Sequence, residues 1–189
     1  PSDRRALELE VARVRAGERP ILEVHRAFRD SVDFQPSPVS WRRLHHLEGL
    51  ALDALPDAFE TVRLSPILPL GAATSTGGTA PDAVLATTRD REVLSDPSVA
   101  LALLAAARRA HSLDDVHLAT TARSVRMQPL KSASHTRHFD MFALTSLCRA
   151  KGRSTAPLDL HLDALLGLLE RVPQAGQVDV RFSDMGWLR

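Results

Sequence analysis

Two long β-prone segments, 116–126 and 138–147, joined by a polar connection, constrain this chain more than any other feature. The first, from Val116 to Arg126, is rich in β-branched residues and partly alternating. The second, from His138 to Leu147, is apolar enough to be a central strand with both faces covered. The connection carries Lys131, His135 and Arg137. It is about nine residues long, against the usual two to five of a hairpin. Cationic side chains held over a rigid sheet suit a phosphate or carboxylate, because charge-assisted hydrogen bonds gain most where water is partly excluded. The segment is therefore a candidate anion clamp with Arg126 at its entry. The plainer reading is a solvated surface hairpin whose charges only keep it soluble.

Bulk properties narrow the field. A chain of 189 residues can bury roughly 70% of its unfolded surface, enough for a core without staples. Hydrophobic content of 44% and charged content of 25% are those of an ordinary globular protein. Net charge is +1, so there is no overall electrostatic footprint for nucleic acid, and any such contact must be local. Of the 24 basic residues only Lys131 and Lys151 are lysines, and one of them lies in the candidate clamp. The single cysteine, Cys148, excludes an internal disulfide and a Cys-based zinc site, and suits a reducing compartment. No run approaches the ~18 apolar residues of a membrane span, and Pro1-Ser-Asp-Arg-Arg is no signal peptide, so the expected location is the cytoplasm.

Helices come first along the chain. Ser2 caps a helix to about Arg15, with Leu7, Val11 and Val14 on one stripe and Gly17 ending it. A second follows Pro20 with Ile21, Val24 and Phe28 on its apolar face. Segment 33–40, with Pro36 and Pro38, reads as a linker, and Ser40 caps a third helix over 41–55. Strands are expected over 58–64 and 83–88, with 72–81 between them a flexible small-residue connector rather than a phosphate loop. Asp96-Pro97 is a helix start, running to about Ala110. After the hairpin a helix spans 157–171 and an alternating strand 178–182. Hairpins mixed with helices predict an α+β fold, with one mainly antiparallel sheet and helices 96–110 and 158–171 covering one face. The expected division is an N-terminal helical segment, 1–32, and an α+β domain, 41–189.

From about Trp41 to Phe182 the chain resembles the catalytic core of class II aminoacyl-tRNA synthetases, most closely the histidyl and prolyl branch. That branch includes the synthetase-like regulatory subunit of bacterial ATP phosphoribosyltransferase. Arg126-Met-Gln128 and His135-Thr-Arg-His-Phe139 are similar to the opening and closing of the family's second motif. Helix 41–55, strand 58–64 and Pro66 are similar to its first motif, and Val93-Leu-Ser-Asp-Pro-Ser98 echoes the segment before its next helix. The resemblance implies roles: Arg126 on the α-phosphate of ATP, His135 near the outer phosphates, and Phe139 stacked on adenine. Gln128 at the motif's glutamate position joins this ligand-binding set, and Lys131 or Arg137 of the cationic clamp is expected to cover it as a lid; ATP with magnesium is the implied cofactor and a homodimer the assembly.

Three departures point to a degenerate module. Gln128 stands where the family has glutamate, which keeps an acceptor but loses the charge. The arginine expected on the helix after Ser98 is absent, and the glycine-rich third motif is not found, the chain ending Phe182-Ser-Asp-Met-Gly-Trp-Leu-Arg189. The expected function is binding of a nucleotide or amino acid without full aminoacylation, so a small-molecule ligand rather than tRNA. One alternative is a reduced ATP-dependent ligase that adenylates a carboxylate for a small acceptor or carrier. Another is an accidental resemblance in an unrelated α+β interaction domain. No metal site is expected: His135 and His138 face opposite sides of a strand, and His45 and His46 cannot converge on one ion. His25, His111, His117 and His161 read as exposed or partly exposed residues.

Overall fold

The computed structural model describes residues 2–87, 89–112, 114–129, 136–149 and 155–172. Two helices lead, α1 Ser2–Gly17 and α2 Ile21–Asp30, followed by a 3-10 turn at Val32–Phe34 and α3 Trp41–Asp53. Ser40 starts α3 as the sequence predicts, its hydroxyl accepting the Arg43 N–H at 3.4 Å. Then come β1 Glu60–Thr61, β2 Ile67–Pro69, α4 Ala72–Gly77, β3 Ala86–Thr87 and β4 Arg91–Val93. The chain continues through α5 Pro97–Arg109, β5 Val116–Val125, β6 His138–Leu147 and α6 Ala156–Arg171.

The β5–β6 hairpin is the backbone of the fold. Its ten residues per strand pair antiparallel from Val116 with Leu147 to Val125 with His138. Strand β1 adds to β5 in parallel, giving the order β1-β5-β6. A second antiparallel sheet, β2-β4-β3, is stitched to the first by two backbone bonds. The Val125 N–H donates to the Leu94 carbonyl and the Met127 N–H to the Ala83 carbonyl, each at 2.9 Å. The architecture is α+β and rich in antiparallel pairing. The expected single sheet is instead two among the described residues, and 58–64 contributes a strand only at Glu60–Thr61. The expected strand at 178–182 lies outside the described residues.

Alternation along the hairpin decides which helix goes where. Val116, Leu118, Thr120, Ala122 and Ser124 share one face with Phe139, Met141, Ala143, Thr145 and Leu147. Leu101 and Ala105 of α5 pack there on Leu118 and Ala143, and this cluster is the core. Fully burying each leucine stabilises by about 1.5–3 kcal/mol. His117 and Thr121 point to the other face, with Ser146 of β6. Glu48 of α3 accepts from the Thr121 hydroxyl there, and His161 of α6 reaches Ser146. Helices α5 and α6 therefore lie on opposite faces rather than on one, because both sides of β5 and β6 offer surface to cover.

Segment 72–81, expected as a flexible connector, begins with the short helix α4. Glu92, only 2% exposed, explains it. Its two carboxylate oxygens accept the N–H groups of Gly71 and Ala73, each at 2.7 Å, satisfying donors that a helix start leaves open. Gly71 enters at φ 91° and Gly78 leaves at φ 64°, both in the left-handed region that glycine adopts without cost. The expected linker at 33–40 is also docked. Asp33 takes a 2.7 Å bond from Arg137 Nε, and the Gln35 carbonyl lies 2.9 Å from His138 Nε2. Among the described residues no helix is long and apolar enough to cross a membrane.

Candidate ligand-binding site

Arg126 directly follows β5, and strand alternation carries it to the face of Ser124, Phe139 and Met141. Its Nε donates to the Ser95 carbonyl at 3.0 Å and its Nη2 to Asp96 Oδ2 at 2.9 Å. The guanidinium carbon sits 5.3 Å from the Phe139 ring centroid, a cation–π contact worth about 0.5–1 kcal/mol. Met141 Sδ lies 3.8 Å from Nη2. Asp96 does two jobs: its other oxygen caps α5, accepting the Ser98 N–H at 2.9 Å and the Ser98 hydroxyl at 2.7 Å. Helix start, strand end and aromatic ring thus fix the plane of one guanidinium. Among the described residues its Nη1 has no partner, so donors remain for an anion.

Arg123, three residues earlier, points to the opposite face and pairs with Asp140 at 3.1 Å and with His138. Arg137 is engaged in support. Besides Asp33, it donates through Nη1 to the carbonyls of Met127 at 2.8 Å and Gln128 at 2.6 Å, and its own carbonyl accepts the Arg126 N–H at 2.8 Å. It clamps the two strand ends together and orients Arg126 from behind. Gln128 itself is exposed. Of the predicted set, then, Arg126 and Phe139 meet, while Gln128 and Arg137 form the adjoining brace. Lys131 and His135 lie outside the described residues.

Two features escaped sequence reasoning. Ser124, fully buried between Arg126 and the core, has a hydroxyl with no partner among the described residues. On the far end of the other face, His117 Nδ1 lies 2.7 Å from Ser146 Oγ, which lies 2.9 Å from His161 Nε2. Phe59 packs against both rings, at 5.8 Å and 5.5 Å between centroids. Both rings are half-buried, His161 as expected and His117 more than its place beside a turn suggests. Burial, and then the neighbouring His117, hold His161 below the ordinary histidine range. Only the strand register, invisible to local pattern, would have joined them.

No protein-family model matches the chain, and no curated protein matches it. Solved structures do. Two structures of pyrrolysyl-tRNA synthetase from Desulfitobacterium hafniense superpose with TM-scores of 0.51 and 0.53, each at 18% identity. They cover 75% and 77% of this chain and 48% and 51% of the synthetase. An ATP phosphoribosyltransferase regulatory subunit/histidyl-tRNA synthetase from Bacillus halodurans superposes at 0.51 and 12% identity, over 71% of this chain and 36% of that one. The chain spans about half the length of the pyrrolysyl enzymes it matches. The fold is that of a class II synthetase-like core, as the motifs implied.

Proposed function

We propose that this chain is a degenerate class II synthetase-like module that binds a nucleotide or amino acid without completing aminoacylation. The observation that carries the reading is the Arg126 guanidinium, held by Ser95, Asp96 and Phe139 with donor capacity left over. A preset guanidinium beside an aromatic face suits a phosphate attached to a planar base, since the fork keeps its geometry and loses little entropy on binding. Gln128 in place of a carboxylate supports loss of turnover. Asp96 is the one carboxylate contacting Arg126 among the described residues, and the arginine already engages it. That is a poor cradle for magnesium, so any magnesium would enter on the nucleotide's own phosphates. We take 41–189 as the ligand-binding unit, 1–32 as its helical appendage, the cytoplasm as its location and a small molecule rather than tRNA as its ligand.

A reduced carboxylate-adenylating ligase is the second reading, favoured by the retained Arg126–Phe139 pair. In-line attack on an α-phosphorus asks mainly for positioning and charge stabilisation, which a fixed arginine supplies. Calorimetry with ATP, adenosine monophosphate and an adenylate analogue separates the outcomes. Arg126→Ala should weaken binding by roughly 1.5–3 kcal/mol, the scale of a charge-assisted hydrogen bond. Arg123→Ala, on the opposite face, should leave it unchanged. Binding without pyrophosphate exchange for any of the twenty amino acids supports the module, and exchange supports the ligase. No binding of any nucleotide at millimolar concentration sinks the nucleotide reading, and the ligase with it.

A further inference from the structure

Asp115, His117 and Cys148 gather at the end of the hairpin away from its loop, on the face opposite Arg126. Strand β5 sets His117 two residues beyond Asp115, so both side chains point the same way. Continuing the Val116–Leu147 register by one step sets Cys148 across from Asp115. One donor atom from each residue lies within 4.8 Å of the others. We propose that these three residues bind a borderline-soft divalent transition metal, zinc being the best fit. Nitrogen, oxygen and sulfur ligands at about 2.0–2.3 Å in a tetrahedron are separated by about 3.3–3.8 Å. The observed spread is within a side-chain adjustment of that. One cysteine suffices because the donor set is mixed, which the exclusion of a Cys-based site did not consider.

The surroundings are built for this role. A ligating histidine needs its second nitrogen tied, to fix the tautomer and the ring plane. Ser146 does this at 2.7 Å from His117 Nδ1, and it is itself anchored 2.9 Å from His161 Nε2. When Nδ1–H donates to Ser146 and Ser146 donates to His161, His117 presents the lone pair of Nε2. Asp115 is also oriented: Oδ1 accepts the Arg149 N–H at 2.9 Å and lies 3.8 Å from Arg109 Nη1. Arg109 in turn donates to the Asp114 carbonyl at 2.9 Å. Three protein ligands leave the fourth position for water or a substrate atom.

Cobalt(II) titration of the reduced full chain reads the site directly. One equivalent should produce a thiolate-to-metal charge-transfer band that zinc abolishes. Cys148→Ser and His117→Ala should remove the band. Asp115→Asn, an exposed and nearly isosteric change, should weaken cobalt binding roughly tenfold or more while circular dichroism shows the fold intact. Ser146→Ala should weaken it roughly 10–100-fold, the usual effect of losing the group that orients a ligand. Arg126→Ala should bind cobalt as the wild type does, which separates this site from the nucleotide reading. Absence of the band in reduced wild type, or its survival at wild-type strength in folded Asp115→Asn or in His117→Ala, overturns the proposal.

Discussion

Asp96 offers the sharpest perturbation, because its two oxygens do separable work. Oδ1 caps α5 through the Ser98 N–H, and Oδ2 holds Arg126. Asparagine is about as good a cap as aspartate, so Asp96→Asn spares the first function and turns the second into a donor facing a donor. The pair's side chains are 29% and 31% exposed, between a solvated surface pair and a buried one. A surface pair is worth about 0.2–1 kcal/mol and a charged hydrogen bond about 1.5–3 kcal/mol, so the loss should be about 1 kcal/mol. Asp96→Ala also loses the cap, adding about 1 kcal/mol. For a chain of this size each kcal/mol lowers Tm by about 2–4 °C.

Binding should move the other way. The Asp96 carboxylate competes with any anion for Arg126, so neutralising it should tighten ATP binding by about 1 kcal/mol, roughly fivefold. A less stable protein that binds better is hard to obtain by general damage. Urea unfolding and calorimetry on wild type, Asp96→Asn and Asp96→Ala give both signs. Equal stability losses in the two variants would show that the cap and the ion pair are not separable. Weaker ATP binding by Asp96→Asn would refute the view of Arg126 as a guanidinium restrained until an anion arrives.

Glu92→Ala leaves the N–H groups of Gly71 and Ala73 without their buried acceptor and should cost about 3–4 kcal/mol in urea unfolding; a loss near zero would mean α4 is not held by that carboxylate. The Arg108 hydrogen bond holds Glu60 below the ordinary carboxylate range. A depressed folded pKa stabilises above the unfolded value and is lost as pH falls through the folded one. The small Tm advantage of wild type over Glu60→Gln should therefore be present at pH 6–7, shrink as pH falls below about 4 and fade in salt; a gap unchanged at low pH would count against it. A homodimer is expected through the α3 face, where Trp41 is 73% exposed and Leu52 37%, burying roughly 1,200 Å² or more in total. Light scattering that returned a monomer mass at tens of micromolar would count against that assembly.

Local signals carried far in this chain. Strand β6 has the bounds its composition predicts, and α5 begins at Asp96-Pro97 because an aspartate cap and a first-turn proline are chemistry within three residues. What failed was non-local. Glu92 reaches back about twenty residues to make a helix of a glycine- and threonine-rich stretch that reads as a turn. Asp96 reads as a cap alone, since its partner Arg126 lies thirty residues on. The placement of α5 and α6 on opposite faces depends on strand register, as does the meeting of His117, Ser146 and His161. Of the candidate site, the meeting of Arg126 and Phe139 was legible from motif spacing. That Arg137 braces rather than covers them was not, because its partner Asp33 is more than a hundred residues away.

One hairpin with two covered faces can host two unrelated chemistries without either disturbing the other. The period of two sends Ser124, Arg126, Phe139 and Met141 to the α5 side, and Asp115, His117, Ser146 and Cys148 to the side of α3 and α6. The two clusters also sit at opposite ends of strands ten residues long, about 30 Å apart at the usual rise. A slip of one residue in pairing would exchange every side chain between the faces, so the buried Leu118–Ala143 core that fixes the register also fixes both clusters. Ser124 fits this division. A buried hydroxyl unpaired among the described residues costs about 1–3 kcal/mol. Ser124 shares the face of Arg126 and Phe139, two residues before the arginine.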